Sequence, residues 1–325
     1  MSVRAIAAVL AAGVMLTLTG CPPTCPEDYS RCPARYASLR ELVDGYNANA
    51  AAVPKLWARA SVKVTLSDEK GGSFTWGSSS PLADPNAVLI LSKDAQAPGG
   101  DNFVMIGREL SAELFRLGVD AAGGLYCFWY KFGQRGECWL GRCRFAGAPA
   151  VKSVPIDPMQ LVSILGVTEL PEVAPGKMPA VVMRLSGRPP AYVVSYLKPQ
   201  LVTGELKLWR EVSFHWSDDK PRRPFRVRLF DADGLCRMVA EVGEYKGVEW
   251  DGPEDKVPVV PTWLRICWPA IKEVQSASSL EIRLSDMSTT HPFRETVFRF
   301  RPPPGIPVKL VDAVYGPVRK EPASW

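Results

Sequence analysis

Few residues in this sequence have the type and spacing to do chemistry. The two histidines, His215 and His291, stand far apart in 325 residues. His215 alternates with Phe214 and Trp216 in an extended stretch, which turns it toward solvent, and His291 precedes Pro292 in a turn. A zinc site needs clustered His and Cys ligands and a redox dithiol needs C-x-x-C. The eight cysteines offer neither spacing. Asp231 and Asp233 read as a carboxylate pair or a calcium loop, but the run Asp231-Ala232-Asp233-Gly234 between two alternating stretches is a hairpin turn without further chemistry. There is no G-x-S-x-G, H-E-x-x-H, P-loop or G-x-G-x-x-G. The sequence names no nucleophile, general acid or metal, so no catalytic site, metal or cofactor is expected.

Cys21 is the exception, because of what precedes it. Arg4 supplies a positive start, residues 5–18 are nearly unbroken apolar sequence, and small residues follow in Leu18-Thr19-Gly20-Cys21. That is the layout of a secretory signal, and the apolar run stops short of the roughly 20 residues that span a bilayer. The cluster resembles the lipobox of bacterial lipoproteins. The resemblance implies cleavage before Cys21, a diacylglyceryl group on its thiol and often an acyl group on the new amine. Each buried methylene is worth about 0.8 kcal/mol and one chain holds only marginally, so two or three chains make a durable membrane anchor. Pro22, in place of an inner-membrane retention aspartate, points to the outer membrane. Residues 1–20 are therefore read as signal peptide and residues 21–35 as lipidated cysteine plus Pro-rich tether. The folded domain is expected over residues 36–310 and a C-terminal tail over 311–325.

Seven cysteines remain once Cys21 is lipidated. Cys25 and Cys32 are spaced to close a small loop in the tether; Cys127, Cys138 and Cys143 crowd one hairpin region, and Cys236 and Cys267 fall in later strands. An odd number leaves one unpaired or paired between chains, and the set reads as structural, buried or disulfide-bonded. Hydrophobic residues at 46% and charged residues at 22% suit a globular chain. The net charge of +5 is spread without a Lys/Arg block, which argues against nucleic acid and allows a mild attraction to anionic lipid.

These residues must be positioned by the elements the periodicity predicts. Leu39, Leu42, Val43 and Tyr46 recur at three- and four-residue steps in residues 36–51, an amphipathic helix closed by Pro54. From Lys55 the period becomes two: Ala58, Ala60, Val62, Val64 and Leu66 alternate with Arg59, Ser61, Lys63 and Thr65. Further strands are predicted at 73–77, 87–91, 103–107 and 113–119. Residues 125–132, LYCFWYKF, are apolar on both faces and predict an interior strand covered on its outer side. A short helix is punctuated by Asp157 as N-cap, Pro158 at the first helical position and Gly166 as stop. Strands resume at 181–185, 191–197, 206–216, 225–230, 235–245, 263–268, 280–286 and 296–300. The pattern predicts a mainly β, α+β domain: a single strongly curved antiparallel sheet of about 11 strands, with a few helices covering its concave face.

The order of these pieces resembles the LolA/LolB-like superfamily of lipoprotein carriers and receptors. The segments that carry it are residues 58–66, Phe74-Thr75-Trp76, residues 113–118, residues 157–166, and residues 225–234 followed by Tyr245. The resemblance implies an unclosed β-barrel plugged by helices, enclosing an apolar cavity for acyl chains. Cys21 favours the LolB-like side: an anchored acceptor on the periplasmic face of the outer membrane, receiving cargo from a soluble periplasmic carrier. LolB-type receptors carry an exposed leucine on a protruding loop; Leu82 in GSSSPLADPNA is either that residue or loop filler. The expected lipid-binding lining is Val62, Val64, Phe74, Trp76, Phe103, Phe115, Leu117, Phe128, Phe214, Trp216, Phe225, Val227 and Leu229, whose alternative is ordinary core. The competing function on the same fold is an envelope interaction or structural lipoprotein without carrier activity.

Overall fold

The computed structural model describes residues 36–316, apart from 68–71, 81–82, 94–99, 111, 134, 149–150, 152–153, 172–177, 188, 201–202, 217–221, 272–276 and 302. The signal, Cys21, the tether, the tail from 317 onward and Leu82 lie outside the described residues. No described helix is long and apolar enough to cross a membrane.

Helix α1, Leu39–Ala51, starts at a capping box in which Ser38 Oγ accepts from the Glu41 N–H and Glu41 accepts from the Ser38 N–H. It buries Leu42, Val43 and Ala50. Two asparagines on α1 fix its seat. Asn47 donates to the Leu170 carbonyl and accepts from the Leu170 N–H at 2.9 and 2.8 Å, and Asn49 does the same with Val259 at 2.8 Å for both bonds. The helix is thus tied to two distant parts of the chain, and Lys93 Nζ donates to the Ala50 carbonyl at its C-terminus.

Among the described residues, fifteen strands form one sheet. In chain order they are β1 (Lys55–Ser67), β2 (Ser73–Gly77), β3 (Ala87–Ser92), β4 (Asn102–Glu109), β5 (Ala112–Asp120), β6 (Leu125–Phe132), β7 (Arg135–Arg142), then helix α2 (Pro158–Val162), β8 (Ala180–Gly187), β9 (Pro190–Pro199), β10 (Leu206–His215), β11 (Pro224–Phe230), β12 (Cys236–Gly247), β13 (Val259–Trp268), β14 (Ser278–Ser288) and β15 (Val308–Leu310). The spatial order is β15-β7-β6-β5-β4-β3-β1-β14-β13-β12-β11-β10-β9-β8, with β2 paired to β1 off this path. Two antiparallel meanders therefore run outward from a central β1–β14 pair, and the sheet curves without closing.

That topology delivers the plug. β8 is one end strand of the sheet and β7 lies next to the other, so the chain between them must cross it, and it crosses the concave face. Ile156, Leu161, Val162, Ile164, Leu165, Val167 and Leu170 from this crossing are buried in one core with α1 and the inward faces of the strands. Asp157 caps α2 by accepting from the Met159 N–H at 2.9 Å, and Pro158 opens it. The helix ends at Val162, a turn earlier than the Gly166 stop, whose φ of +76° marks the later bend. Arg210 Nη2 donates to the Ser163 carbonyl at 2.8 Å, and Trp268 Nε1 to Gln160 Oε1 at 2.8 Å, holding the crossing to β10 and β13.

The convex face is covered over β3–β7 by the chain that follows β14. Residues 296–300, expected as a strand, instead include a 3-10 turn, Glu295–Phe298, which seats Phe298 against Ile90, Val104 and Ile106. Ile306 then packs on Trp129 and Cys138. This is what covers the second apolar face of β6, and β15 adds parallel to β7 beyond it. The strap ends in an ion pair: Asp312 Oδ2 accepts from Arg142 Nε at 2.8 Å and from its backbone N–H at 2.9 Å. β7 and β15 were not predicted because neither carries a sustained alternation; β7 reads RGECWLGR and β15 is three residues long.

Candidate functional site

The concave core opens at one end, where the β1–β2 hairpin faces the β6–β7 hairpin. The opening depends on a fork in β1. Its first half, Lys55 to Ala60, pairs with β3 and its second half, Lys63 to Ser67, pairs with β2. Val62 stands at the fork, fully buried, with no strand neighbour on that side. Asn86 replaces the missing strand: its side-chain oxygen accepts from the Val62 N–H at 2.8 Å and its amide donates to the Val62 carbonyl at 3.0 Å. Gly77 ends β2 at φ +79°, where a Cβ would lie 2.0 Å from the Val62 oxygen. Only glycine lets β2 leave the sheet at this point.

β2 carries Phe74 and Trp76 to the mouth. Phe74 stacks on Phe132 at 4.7 Å between centroids, and Trp76 stacks on Phe132 at 5.6 Å and meets the edge of Phe115 at 5.2 Å. On β6, Phe128, Tyr130 and Phe132 share the concave face, with neighbouring centroids 6.0 and 5.3 Å apart. Trp139 of β7 lies parallel to Phe128 at 5.4 Å. Seven rings thus run from a half-exposed rim at Phe74 and Phe132 to Phe115 and Phe128, both 1% exposed. Between the hairpins lies a cleft of about 130 Å³ lined by Leu66, Phe74, Tyr130, Phe132 and Trp139, with Arg135, Glu137 and Pro155 at its edge. The Tyr130 hydroxyl is pushed up from its ordinary range by burial first and by the Glu137 carboxylate second, and stays a neutral polar handle at the rim.

The thirteen expected lining residues divide by position. Val62, Val64, Phe103, Phe115, Leu117, Phe128, Phe214, Trp216 and Val227 are buried in the main core, and Trp76 and Leu229 pack half-buried against it. Phe74 stands at the mouth. Phe225 leaves this set: a bulge between Ser213 and Phe214 shifts the β10–β11 register, and its ring stacks on His215 at 4.6 Å. Tyr130, Phe132 and Trp139 complete the mouth without having been singled out in the sequence. For Tyr130 and Phe132 the signal was present, since they follow Phe128 at two-residue steps. Asn86 gave none, being one polar residue in a loop.

The other chemistry-bearing residues are placed as structure. His291 stacks on Trp57 at 4.0 Å. Asp231 Oδ1 accepts from the N–H groups of Asp233 and Leu235, both at 2.9 Å, and Oδ2 from Arg237, so its carboxylate builds the turn with Gly234 at φ +81°. Among the described residues, Cys127, Cys138, Cys143, Cys236 and Cys267 form no disulfide with one another. Burial pushes Cys138 up to about 11 and Cys143 up to about 12, and holds Cys127 well above the usual thiol range. Among the described residues no group of three His, Cys, Asp or Glu side chains is placed to hold a metal ion.

Together these features define a half-barrel with a plugged concave face and an aromatic mouth. No family model matches the sequence, and no curated protein matches it either. Among solved structures, the chain is similar in fold to an outer membrane lipoprotein-sorting protein domain from Vibrio parahaemolyticus, at 14% identity and a TM-score of 0.40, covering 79% of this chain and 94% of that one. It is also similar to a DUF1329 family protein from Desulfovibrio piger, at 9% identity and a TM-score of 0.41 over 79% and 96% of the two chains. A LolA superfamily protein from Nitrosomonas europaea aligns at 9% identity and a TM-score of 0.37 over 79% and 97%.

Proposed function

We propose that this chain is a lipid-anchored protein of the bacterial cell envelope that takes an acyl chain into its half-barrel through the aromatic mouth. In this reading it acts as a LolB-like acceptor on the periplasmic face of the outer membrane, and its cargo is the acylated end of another lipoprotein. The observation that carries the reading is the ladder of rings from Phe74 and Phe132 at the rim to Phe115 and Phe128 in the dry core. Acyl chains offer no polar handle, and their binding comes from burying methylenes at about 0.8 kcal/mol each. A continuous apolar path is therefore the feature such a ligand requires.

The cleft of about 130 Å³ is smaller than the roughly 300–1,000 Å³ of ordinary ligand sites. The tip of a chain fits as the protein stands, and deeper entry requires the crossing segment to yield. Its α-helix among the described residues, α2, has only five residues, which suits a displaceable plug. The test is to purify the chain without its signal, identify co-purified lipid by mass spectrometry and titrate a fluorescent fatty acid. Bound lipid and saturable displacement are expected; the absence of both would sink the acyl-chain reading. Depletion in the parent cell tests the acceptor role, with other lipoproteins expected to accumulate in the inner membrane.

A second reading, protein–protein interaction, is favoured by the open edge of the sheet. Among the described residues β8 pairs with β9 alone, and Val182 and Leu185 on it and Met178 just before it are exposed. Such an edge can take a further strand from a partner.

A further inference from the structure

The convex face carries a second cleft, unrelated to the aromatic mouth. Along β6, Phe128, Tyr130 and Phe132 point to the concave side, so Trp129 and Lys131 point to the other. There they meet the strap that follows β14, and between strap and sheet lies a cleft of about 780 Å³. Its walls include Arg116, Trp129, Lys131, Arg299 and Arg301, and Pro303 and Pro304 stiffen one rim.

The charges in it do not balance. Glu113, the carboxylate in the cleft wall, is committed to Arg116, with Arg116 Nε donating to it at 2.7 Å. Arg116 Nη1 also donates to the Val297 carbonyl at 2.9 Å, which fastens the strap to β5. Lys131, Arg299 and Arg301 make no ion pair among the described residues, whereas Arg226, Arg265 and Arg283 elsewhere on the sheet are paired with carboxylates. The floor adds a donor: Trp129 is 5% exposed and its Nε1–H has no hydrogen-bond partner among the described residues. Three cations from two separate elements, unpaired among the described residues, thus line one cleft with this N–H donor, and an anion seated between them would relieve their mutual repulsion.

We infer that this cleft binds a small phosphate-bearing ligand, held between Arg299 and Arg301 of the strap and Lys131 of β6. The concave shape and a volume within the small-molecule range favour a compact anion. Guanidinium forks match the several oxygens of a phosphate better than a single carboxylate, which favours phosphate over an acidic side chain. The phosphate is either that of an anionic lipid headgroup or a free oligophosphate.

The experiment uses the full-length chain in neutral detergent micelles and isothermal titration with three probes: dihexanoyl phosphatidylglycerol, inorganic pyrophosphate and a hexaglutamate peptide. Binding of either phosphate probe is expected, weakening with added salt and falling at least tenfold in R299E/R301E and in K131E. R40E, at a site where Arg40 pairs with Asp44, should bind as the parent does. Tighter binding of phosphatidylglycerol assigns the site to a headgroup, and tighter binding of pyrophosphate to a free phosphate. Equal binding by parent and R299E/R301E, no binding of either phosphate probe, or binding of hexaglutamate in preference to both would overturn the inference. The three altered side chains are exposed, so an unchanged melting temperature will confirm that the variants are folded.

Discussion

At the scale of single residues, the sharpest dependence is at the fork in β1. Asn86 satisfies both backbone groups of a fully buried Val62, and a buried polar group left without a partner costs about 1–3 kcal/mol. Asn86→Ala is therefore expected to lower stability by about 2 kcal/mol in urea unfolding. The cysteines give a second expectation. Cys267 is exposed whereas Cys127 and Cys138 are buried with thiols raised by desolvation, so a maleimide followed by peptide mass mapping should label Cys267 in the native protein and Cys127 and Cys138 only after unfolding. Asp157 supplies a pH dependence. Burial pushes its carboxyl up to about 6, against the hydrogen bond from Met159 that pulls the other way. Between roughly pH 4 and pH 6 the folded chain then holds a proton that the unfolded chain has released. Its contribution to stability is fullest below that window and declines as pH rises through it. Asp157→Asn should flatten that part of the urea midpoint against pH.

At the scale of elements, α1 and the crossing segment decide whether the sheet keeps a dry concave face. Leu42 is 3% exposed on α1, and Leu42→Ala is expected to cost about 3 kcal/mol in denaturant unfolding, within the range for emptied core sites. Much at this scale was legible in the sequence, because alternation and capping are local signals. The helix predicted over 36–51 appears as Leu39–Ala51, and the first strand, the Phe74-Thr75-Trp76 strand, the LYCFWYKF strand and the Asp-Gly hairpin appear where the periodicity placed them. What stayed hidden depends on partners distant in the chain. β15 exists because β7 offers it an edge, and residues 296–300 bend into a 3-10 turn because Phe298 must reach Ile90, Val104 and Ile106. Phe225 departs from the core side through a bulge that no alternation pattern records.

At the scale of the whole molecule, two meanders meeting at β1–β14 leave both sheet ends unclosed, and the link between them has to pass through the concave side. A plugged half-barrel is thus a consequence of topology, and the same link that fills it is the part able to move. The Phe74, Phe132 and Trp139 rings gather at one end because β2 departs from the sheet at Gly77. Phe132→Ala removes the ring shared by Phe74 and Trp76, and should weaken fatty-acid affinity about tenfold, or about 1.4 kcal/mol. The most direct measurement is photocrosslinking with a fatty acid carrying a diazirine at its methyl end, mapped by peptide mass spectrometry. Adducts confined to the peptides holding Phe74, Tyr130, Phe132 and Trp139, and competed by unlabelled fatty acid, are the predicted result. Adducts only on the convex face, or none that competitor removes, would contradict acyl-chain entry through the aromatic mouth.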